Sequence, residues 1–270
     1  MTCYLLSFVT PMDGRNSPFS ILVTNDDGIH SPALTALAEA LAPLGKITMV
    51  APLREMSASS RSISLFRPVR YEIRGPRRYG IDGTPVDAII VAINHLLEEA
   101  PSLVVSGINL GANLGMNVFY SGTVGAALEG TAHGISSFAI SIGSKRETPL
   151  GPAAAFAAEL AKRILDHGLP PGVSLNVNVP VDWNNGVRIT RLAHREARRL
   201  KLNPENSGDP NSFAIREEID SRQLSADSDY RAVREGYVSI TPLAMECEDF
   251  ASLTWLENWI QNGVNVPGLT

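Results

Sequence analysis

Two adjacent carboxylates, Asp26 and Asp27, follow directly after the apolar run at residues 21–24. A short apolar run that ends at polar turn residues is typical of a buried strand, and open α/β sheets bind ligands just beyond the carboxyl ends of such strands. No basic residue stands beside the pair in the sequence. Because neighbouring carboxylates repel each other and hard divalent cations prefer oxygen ligands, the pattern predicts a site for Mg²⁺, Mn²⁺ or Ca²⁺.

The same residues also have a simpler interpretation. Asn and Asp are among the commonest N-cap residues of helices, and a helix is predicted from Pro32 onward. On this interpretation Asn25, Asp26 or Asp27 caps the helix and binds no ligand.

Three further polar loops follow predicted strands or begin predicted helices. The loop at residues 54–61 contains several serines, whose hydroxyls can contact a metal or a phosphate. Residues 106–111 have the sequence Ser-Gly-Ile-Asn-Leu-Gly, and a helix rich in small residues begins with Ser121, Gly122 and Thr123. Helix N-termini of this composition present N–H groups to anions. The spacing leaves Ser121 and Thr123 open between N-capping and phosphate binding.

Strand and helix patterns alternate around these loops. The patterns predict strands at 21–24, 47–51, 103–105, 138–141 and 174–179, helices at 32–44, 85–99 and 152–167, and a hairpin around Gly75. This order indicates an α/β fold with a Rossmann-like, mostly parallel sheet and helices on both faces.

The chain is expected to divide into three parts. These are an N-terminal extension at residues 1–20, an α/β domain at 21–248 and a C-terminal tail at 249–270. Within the domain, residues 203–228 are poor in apolar residues and predict a projecting hairpin or arm, at about 195–235, that packs on another subunit. The apolar alternation at 236–243 then predicts a strand that joins this sheet or a neighbour's.

Composition limits the classes of partner. The 270 residues carry a net charge of −5 and a pI of about 5.6, so we expect no polymeric nucleic acid and a small substrate instead. Cys3 and Cys247 form no metal-binding spacing and no disulfide framework. No run is long enough to cross a bilayer, and the N-terminus lacks the features of an export signal. We therefore expect a cytoplasmic protein without a membrane partner.

Taken together, the motifs resemble the SurE family of survival proteins, which are metal-dependent 5'/3'-nucleotidases. The matching pieces occur in family order at residues 24–28 (Thr-Asn-Asp-Asp-Gly), 50–52, 83–87 (Gly-Thr-Pro-Val-Asp), 106–111, 120–130 and 239–243. A combination over most of the chain is far more specific than a single glycine-rich loop. The resemblance implies hydrolysis of nucleoside 5'- and 3'-monophosphates to nucleoside and phosphate, in a homodimer or homotetramer.

The resemblance also implies a site. One divalent ion per subunit, Mg²⁺ or Mn²⁺ (or Ca²⁺ in a crystal), would be held by Asp26, Asp27, Ser57 and Asn109. The phosphate would be held by Asn25, Ser106, Gly107, Ser121, Gly122 and Thr123. Asp26, Asp27 and Asn109 would be catalytic, with either aspartate orienting or deprotonating a water that the metal activates. The family usually has Arg-Ser-Gly around its serine ligand, whereas this chain has Met56-Ser57-Ala58, which leaves Ser59 and Ser60 as alternatives to Ser57.

Other functions fit less well. A non-catalytic nucleotide-binding module could use the same loops, but it would not need two uncompensated carboxylates. A Rossmann oxidoreductase needs Gly-x-Gly-x-x-Gly after its first strand, where this chain has Asn-Asp-Asp-Gly. We interpret His30 and His133 as structural, and the cluster Arg195, Arg198, Arg199 and Lys201 as solvated surface rather than a guide for anions.

Overall fold

The computed structural model describes residues 19–143, 149–204, 211–245 and 249–263. Its first half contains β1 (Phe19–Thr24), α1 (Pro32–Leu41), β2 (Gly45–Pro52), β3 (Tyr71–Gly75), β4 (Arg78–Ile81), α2 (Pro85–Val91), β5 (Leu103–Leu110) and α3 (Gly122–Ala132). Its second half contains β6 (Ser137–Gly143), α4 (Gly151–His167), β7 (Val173–Pro180), β8 (Val187–Ile189), β9 (Arg198–Pro204), β10 (Phe213–Ile219), α5 (Asp229–Arg234), β11 (Val238–Ala244) and α6 (Phe250–Gly263).

Nine strands form one sheet in the order β3-β4-β2-β1-β5-β6-β7-β11-β8. β1 pairs in parallel with β2 on one side and with β5 on the other, and the parallel ladder continues to β4 and to β6 and β7. Antiparallel pairs occur toward the edges, between β3 and β4 and between β7 and β11. The predicted α/β fold with a mostly parallel sheet is confirmed, and the strand at 236–243 joins this sheet.

Helices cover both faces of the sheet. In β1, Ile21 and Val23 belong to a core with residues of α1 and α4, whereas Leu22 belongs to a second core with residues of α2 and α3. A strand that is buried on both faces needs apolar residues at successive positions. This explains why β1 has a continuous apolar run instead of an alternating one.

Local sequence fixes where the helices near the carboxyl edge begin. Ser31 caps α1, because its hydroxyl oxygen accepts a hydrogen bond from the N–H two residues later at 3.2 Å. Thr84 and Asp87 form a reciprocal capping box at the start of α2. Ser121 caps α3, because its hydroxyl oxygen accepts a hydrogen bond from the N–H three residues later. Such caps satisfy backbone donors that have no partner inside the helix.

Some elements differ from the predicted ones. β5 does not end at residue 105 but continues to Leu110, because its ladder with β6 resumes after a register shift between Ser106 and Asn109. The helix predicted to residue 99 continues past α2 only as a π-helical turn, Ala92–Leu96. The expected C-terminal tail contains α6. Residues 1–18 of the expected extension and both cysteines lie outside the described residues, whereas residues 19 and 20 belong to β1.

The predicted arm contains a hairpin. β9 and β10 form a separate two-stranded antiparallel sheet, and residues 205–210 between them lie outside the described part. The segment after β10 returns to the main body, where α5 contacts β7 and β11. Within the described ranges, no helix combines the length and apolar character needed to span a membrane.

Candidate active site

The predicted site residues meet at the centre of the sheet. β2 and β4 lie on one side of β1, and β5, which follows them in the chain, lies on the other side. Such a reversal leaves a crevice beyond the carboxyl ends of the two central strands. Thr24, the last residue of β1, is the register partner of Ser106 in β5. The two aspartates after β1 and the polar end of β5 therefore border the same crevice.

Asp26 is attached to the start of α3. Its carboxylate is buried, and it accepts hydrogen bonds from the backbone N–H of Thr123 at 3.2 Å and from the Thr123 hydroxyl. Burial raises the pKa of Asp26, and the two bonds from Thr123 lower it by a smaller amount. The positive end of the helix dipole also favours a carboxylate at this position. Both donors of Thr123 are thus used by Asp26, which differs from the predicted phosphate-binding role of this residue.

Gly122 allows α3 to approach β1 this closely. A Cβ atom on Gly122 would lie 2.5 Å from the Ser59 hydroxyl oxygen and 3.1 Å from the Cβ of Asp26. These distances are shorter than normal van der Waals contacts, so a side chain here would displace its neighbours. The absence of a side chain at Gly122 therefore lets α3 lie against Ser59 and Asp26.

Asp27 has a different environment. Its pKa is raised to about 6, because it is partly buried and because the negative charges of Asp26 and Glu55 lie nearby. Its Oδ2 atom is buried and has no hydrogen-bond partner among the described residues. Two close carboxylates with a third acidic group beside them form a negative site that a cation would stabilise.

The three candidate serines of the loop after β2 have different surroundings. Ser57 is exposed, and its hydroxyl donates to a carboxylate oxygen of Glu55 at 2.8 Å. Ser60 donates its hydroxyl to the backbone oxygen of Phe119 at 2.6 Å. The hydroxyl of Ser59 is buried and has no partner in the described structure. A hydroxyl that donates its hydrogen keeps lone pairs that can bind a cation, so all three serines remain alternatives.

The end of β5 supplies the other predicted ligands. The side-chain amide of Asn109 donates to the backbone oxygen of Gly111 at 2.6 Å, which leaves its oxygen as the atom that can bind a cation. Ser106 is fully buried, and its hydroxyl has no described partner. Gly107 lies against β6, where a Cβ atom would be 2.3 Å from the backbone oxygen of Ile140. Gly107 therefore has a clear packing role.

The capping interpretation of the residues after β1 is wrong. Asn25 is fully buried, and its oxygen accepts the N–H of Gly28 at 3.1 Å. This bond closes the turn after β1, whereas α1 is capped by Ser31. The Asn25 amide nitrogen is buried without a described partner, so it can donate to a ligand.

Unpaired polar atoms are concentrated in this crevice. Five of the seven buried side-chain atoms without a hydrogen-bond partner in the described ranges belong to Thr24, Asn25, Asp27, Ser59 and Ser106. Leaving such an atom unpaired costs about 1–3 kcal/mol, and native proteins pair most of them. The cluster includes donors and an acidic acceptor, which fits a site for an anion together with a cation.

Comparisons with known proteins show the family of the chain. Residues 21–199 match the family model "Survival protein SurE". The chain belongs to the SurE family. It is 40% identical over 246 residues to a 5'-nucleotidase SurE of Stutzerimonas stutzeri, covering 90% of this chain and 98% of that protein. It is 41% identical to a 5'-nucleotidase SurE of Geobacter sulfurreducens, covering 89% and 93%. The crystal structure of a SurE protein from Aquifex aeolicus is similar, with a TM-score of 0.79, 34% identity, and coverage of 88% and 98%.

Residue Glu55 of this SurE crevice and the contact between Ser59 and Gly122 were not predicted from the sequence. Glu55 adds a negative charge near both aspartates, and Ser59 packs against Gly122. An acidic residue in a polar loop is too common to single out. The contact of Ser59 joins residues more than sixty positions apart, so no local pattern could have revealed it.

The histidines lie away from the crevice of the SurE fold, and two residues of the basic cluster form ion pairs. His30 is exposed, and His133 caps the far end of α3 beside Glu129 at 3.4 Å. That end is about 15 Å from Thr123, at 1.5 Å per helical residue. In the cluster, Arg198 and Lys201 form ion pairs with acidic residues of β10. Lys201 is 55% exposed, whereas Arg198 is only 15% exposed, so the interpretation as solvated surface is wrong for Arg198.

Proposed function

We propose that this protein is a metal-dependent phosphomonoesterase that hydrolyses nucleoside 5'- and 3'-monophosphates. The observation that supports it most is the cluster of unpaired buried polar atoms beside two carboxylates at the centre of the sheet. The 5'-nucleotidase names of its relatives in the SurE family support the same enzyme class.

The donor set fits a hard divalent cation. The described residues contain no group of three or more His, Cys, Asp and Glu side chains suited to a metal, so two carboxylates with neutral oxygens must suffice. Asp26, Asp27, Asn109 and Ser57 supply such oxygens, and Mg²⁺ or Mn²⁺ accepts this ligand type and retains waters. When bound, the cation would supply positive charge to the phosphoryl oxygens and the attacking water.

The two aspartates are assigned different roles. Both oxygens of Asp26 accept hydrogen bonds from Thr123, so we assign it to anchoring and charge. Asp27 has an unpaired oxygen and a pKa of about 6. Because an oxygen of Asp27 has no protein partner, Asp27 is the residue we assign to orienting and deprotonating the water.

The phosphate is held by donors that the protein itself leaves unpaired. Asn25 and Ser106 each have one buried donor group without a described partner, whereas both donors of Thr123 bond Asp26. The Ser121 hydroxyl accepts the cap hydrogen bond and keeps its own hydrogen for a ligand. We therefore assign phosphate binding chiefly to Asn25, Ser106 and Ser121. Ser121, Gly122 and Thr123 contribute the helix N-terminus, and Gly107 the backbone beside Ser106.

The test is phosphate release from a panel of nucleoside 5'- and 3'-monophosphates. The protein is stripped with EDTA and assayed with and without Mg²⁺ or Mn²⁺, next to Asp27→Asn and the control Asp166→Asn, an exposed aspartate of α4. We expect metal-dependent release that Asp27→Asn loses and Asp166→Asn keeps. Nucleotide binding without release under any metal would overturn the proposal in favour of a binding module.

We also propose that the β9–β10 hairpin forms a homo-oligomer interface. Leu200, Leu202, Phe213 and Ile215 are all more than half exposed, and the register places them on one face of the hairpin. An apolar face of this kind usually marks an interaction site. Light scattering should show a dimer or tetramer, and Leu202→Lys with Ile215→Lys should reduce its size. An unchanged size in the double variant would contradict this interface.

A further inference from the structure

We propose that Tyr120 is the stacking surface for the nucleobase of the substrate, and that Arg198 holds its ring in place. This inference rests on the proposed function, because it assigns a second part of the substrate to the same crevice. Tyr120 directly precedes Ser121 and the start of α3, and it is 49% exposed. Nucleobases stack on aromatic side chains whatever their identity, since every base has a π-face.

The backbone of Tyr120 is fixed relative to the crevice. Its carbonyl oxygen accepts the N–H of Ser60 at 3.0 Å, and the preceding carbonyl, that of Phe119, accepts the Ser60 hydroxyl. The neighbouring Ser59 packs against Gly122. The ring of Tyr120 therefore projects from a backbone that is joined both to α3 and to the serine loop.

The ring itself is held by the base of the hairpin. The guanidinium carbon of Arg198 lies 5.1 Å from the ring centroid, within the usual range of a cation–π interaction. Arg198 is only 15% exposed, and it donates to Glu217 at 2.6 Å and to Asn117 at 3.1 Å. A ring held in this way loses little conformational freedom when a base stacks on it.

The position of Tyr120 suits a nucleoside monophosphate. Adjacent Cα atoms are about 3.8 Å apart, so the Cα of Tyr120 lies within this distance of the Cα of Ser121, the N-cap of α3. Phe119 is also exposed, at 55%, but its side chain lines a cavity of about 1180 Å³ together with Ser60 and Arg61. Arg198 contacts Tyr120, and this contact favours Tyr120 over Phe119 as the stacking residue.

The test compares a substrate that has a base with one that has none. The kcat and KM values for AMP and for ribose 5-phosphate are measured with Mg²⁺ for the full-length wild type, Tyr120→Leu, Tyr120→Phe and the adjacent control Phe119→Leu. We expect Tyr120→Leu to raise the KM for AMP by about 5- to 100-fold, to change kcat less, and to leave the KM for ribose 5-phosphate within about twofold. Tyr120→Phe should restore the wild-type values, because the ring is retained.

Several results would overturn the inference. An equal loss of kcat/KM on AMP and on ribose 5-phosphate in Tyr120→Leu would mean a structural role for Tyr120. An unchanged KM for AMP in this variant would mean that the base does not stack on Tyr120. A raised KM for AMP in Phe119→Leu but not in Tyr120→Leu would place the base in the cavity that Phe119 lines.

Calorimetric titration with AMP and with inorganic phosphate separates this inference from the proposed function. If the wild type releases no phosphate but binds AMP more tightly than phosphate, and Tyr120→Leu loses that difference, the hydrolase proposal fails and the stacking surface stands. A wild type that neither binds nor hydrolyses AMP overturns both.

The role of Arg198 is tested by Arg198→Met. Loss of the guanidinium should raise the KM for AMP by a smaller factor than Tyr120→Leu and leave the KM for ribose 5-phosphate unaffected. In the double variant with Tyr120→Leu, the Arg198 substitution should not raise the KM for AMP further, because Arg198 acts only by holding the Tyr120 ring. Additive losses would show that Arg198 acts independently.

Discussion

The backbone N–H and the hydroxyl of Thr123 both donate to the carboxylate of Asp26. These bonds join the first turn of α3 to the end of β1 across almost one hundred residues of sequence. Burial raises the pKa of Asp26, and these two bonds offset part of that rise because they stabilise the charged form. The geometry of the crevice therefore depends on this pair.

Replacing Thr123 by valine should destabilise the protein and reduce its activity. The shape is retained, but a buried carboxylate loses one of its donors, which costs about 1–3 kcal/mol. We expect the free energy of unfolding in urea to fall by this amount and metal affinity to fall with it. Thr123→Ser retains the hydroxyl and serves as the control. Equal stability of the valine variant and the wild type would contradict this prediction.

Asp27→Asn should stabilise the metal-free protein while abolishing metal-dependent activity. The pKa of Asp27 is raised to about 6, so its charge opposes folding at neutral pH. Because the group is partly exposed, we discount the shift for solvent screening and expect a gain of about 1 kcal/mol in EDTA. Thermal unfolding with EDTA and with Mg²⁺ measures both effects. A lower melting temperature of the variant in EDTA would show that the repulsion is absent.

The same shift predicts how stability depends on pH. A carboxyl group whose pKa is raised on folding binds more protons in the native state, so its stabilising contribution is complete below its ordinary pKa of about 4 and is lost as pH rises to about 6. The free energy of unfolding of the metal-free wild type should fall by this contribution as the pH rises from about 4 to about 6, and that of Asp27→Asn should not. Divalent cation affinity should also fall below pH 6, since protons compete for Asp27. Urea unfolding and calorimetric titration across pH 4–7 check these outcomes.

The serine ligand can be identified by metal titration. Ser57→Ala should weaken Mg²⁺ or Mn²⁺ binding by about tenfold or more, the factor typical of changes in and around a ligand shell. Because the ligand is assigned to Ser57, Ser59→Ala should leave metal affinity nearly unchanged, although it removes a buried hydroxyl without a described partner. The opposite result would move the ligand from Ser57 to Ser59.

Gly122→Ala should reduce activity more than stability. The added Cβ would approach the Ser59 hydroxyl to 2.5 Å and Asp26 to 3.1 Å, and a serine side chain can rotate away whereas Asp26 is held. We expect a loss of about 1 kcal/mol of unfolding free energy and a larger relative fall in kcat/KM. Gly151→Ala, which places its Cβ in open space at the start of α4, is the matched control. Equal kinetics for both variants would contradict a close approach at Gly122.

Much of the fold could be predicted from local patterns. The apolar run before Asp26, the helix that begins at Pro32 and the hairpin around Gly75 all depend on residues close in sequence, and the structure confirms them. β5 was predicted too short, because a register shift within a parallel ladder is decided by the neighbouring strand. Asn25, Asp26 and Asp27 were the candidate caps of α1, whereas the structure has Ser31 as its cap.

The sequence by itself determined the type of chemistry at the site. Two adjacent carboxylates at the end of a buried strand indicate a cation, and glycine-rich and hydroxyl-rich loops at strand ends and helix starts indicate an anion. These signals are local, because they depend only on residue types and on the strand or helix beside them.

Only the tertiary structure decided how those residues are used. It assigned both donors of Thr123 to Asp26, left Asn25 and Ser106 with unpaired donors, and brought Glu55 near Asp27. Hydrogen bonding and burial depend on which distant segments meet, and residues far apart in the chain carry no local mark of their partners. The chemistry of this crevice was therefore visible in the sequence, whereas the division of roles among its residues was not.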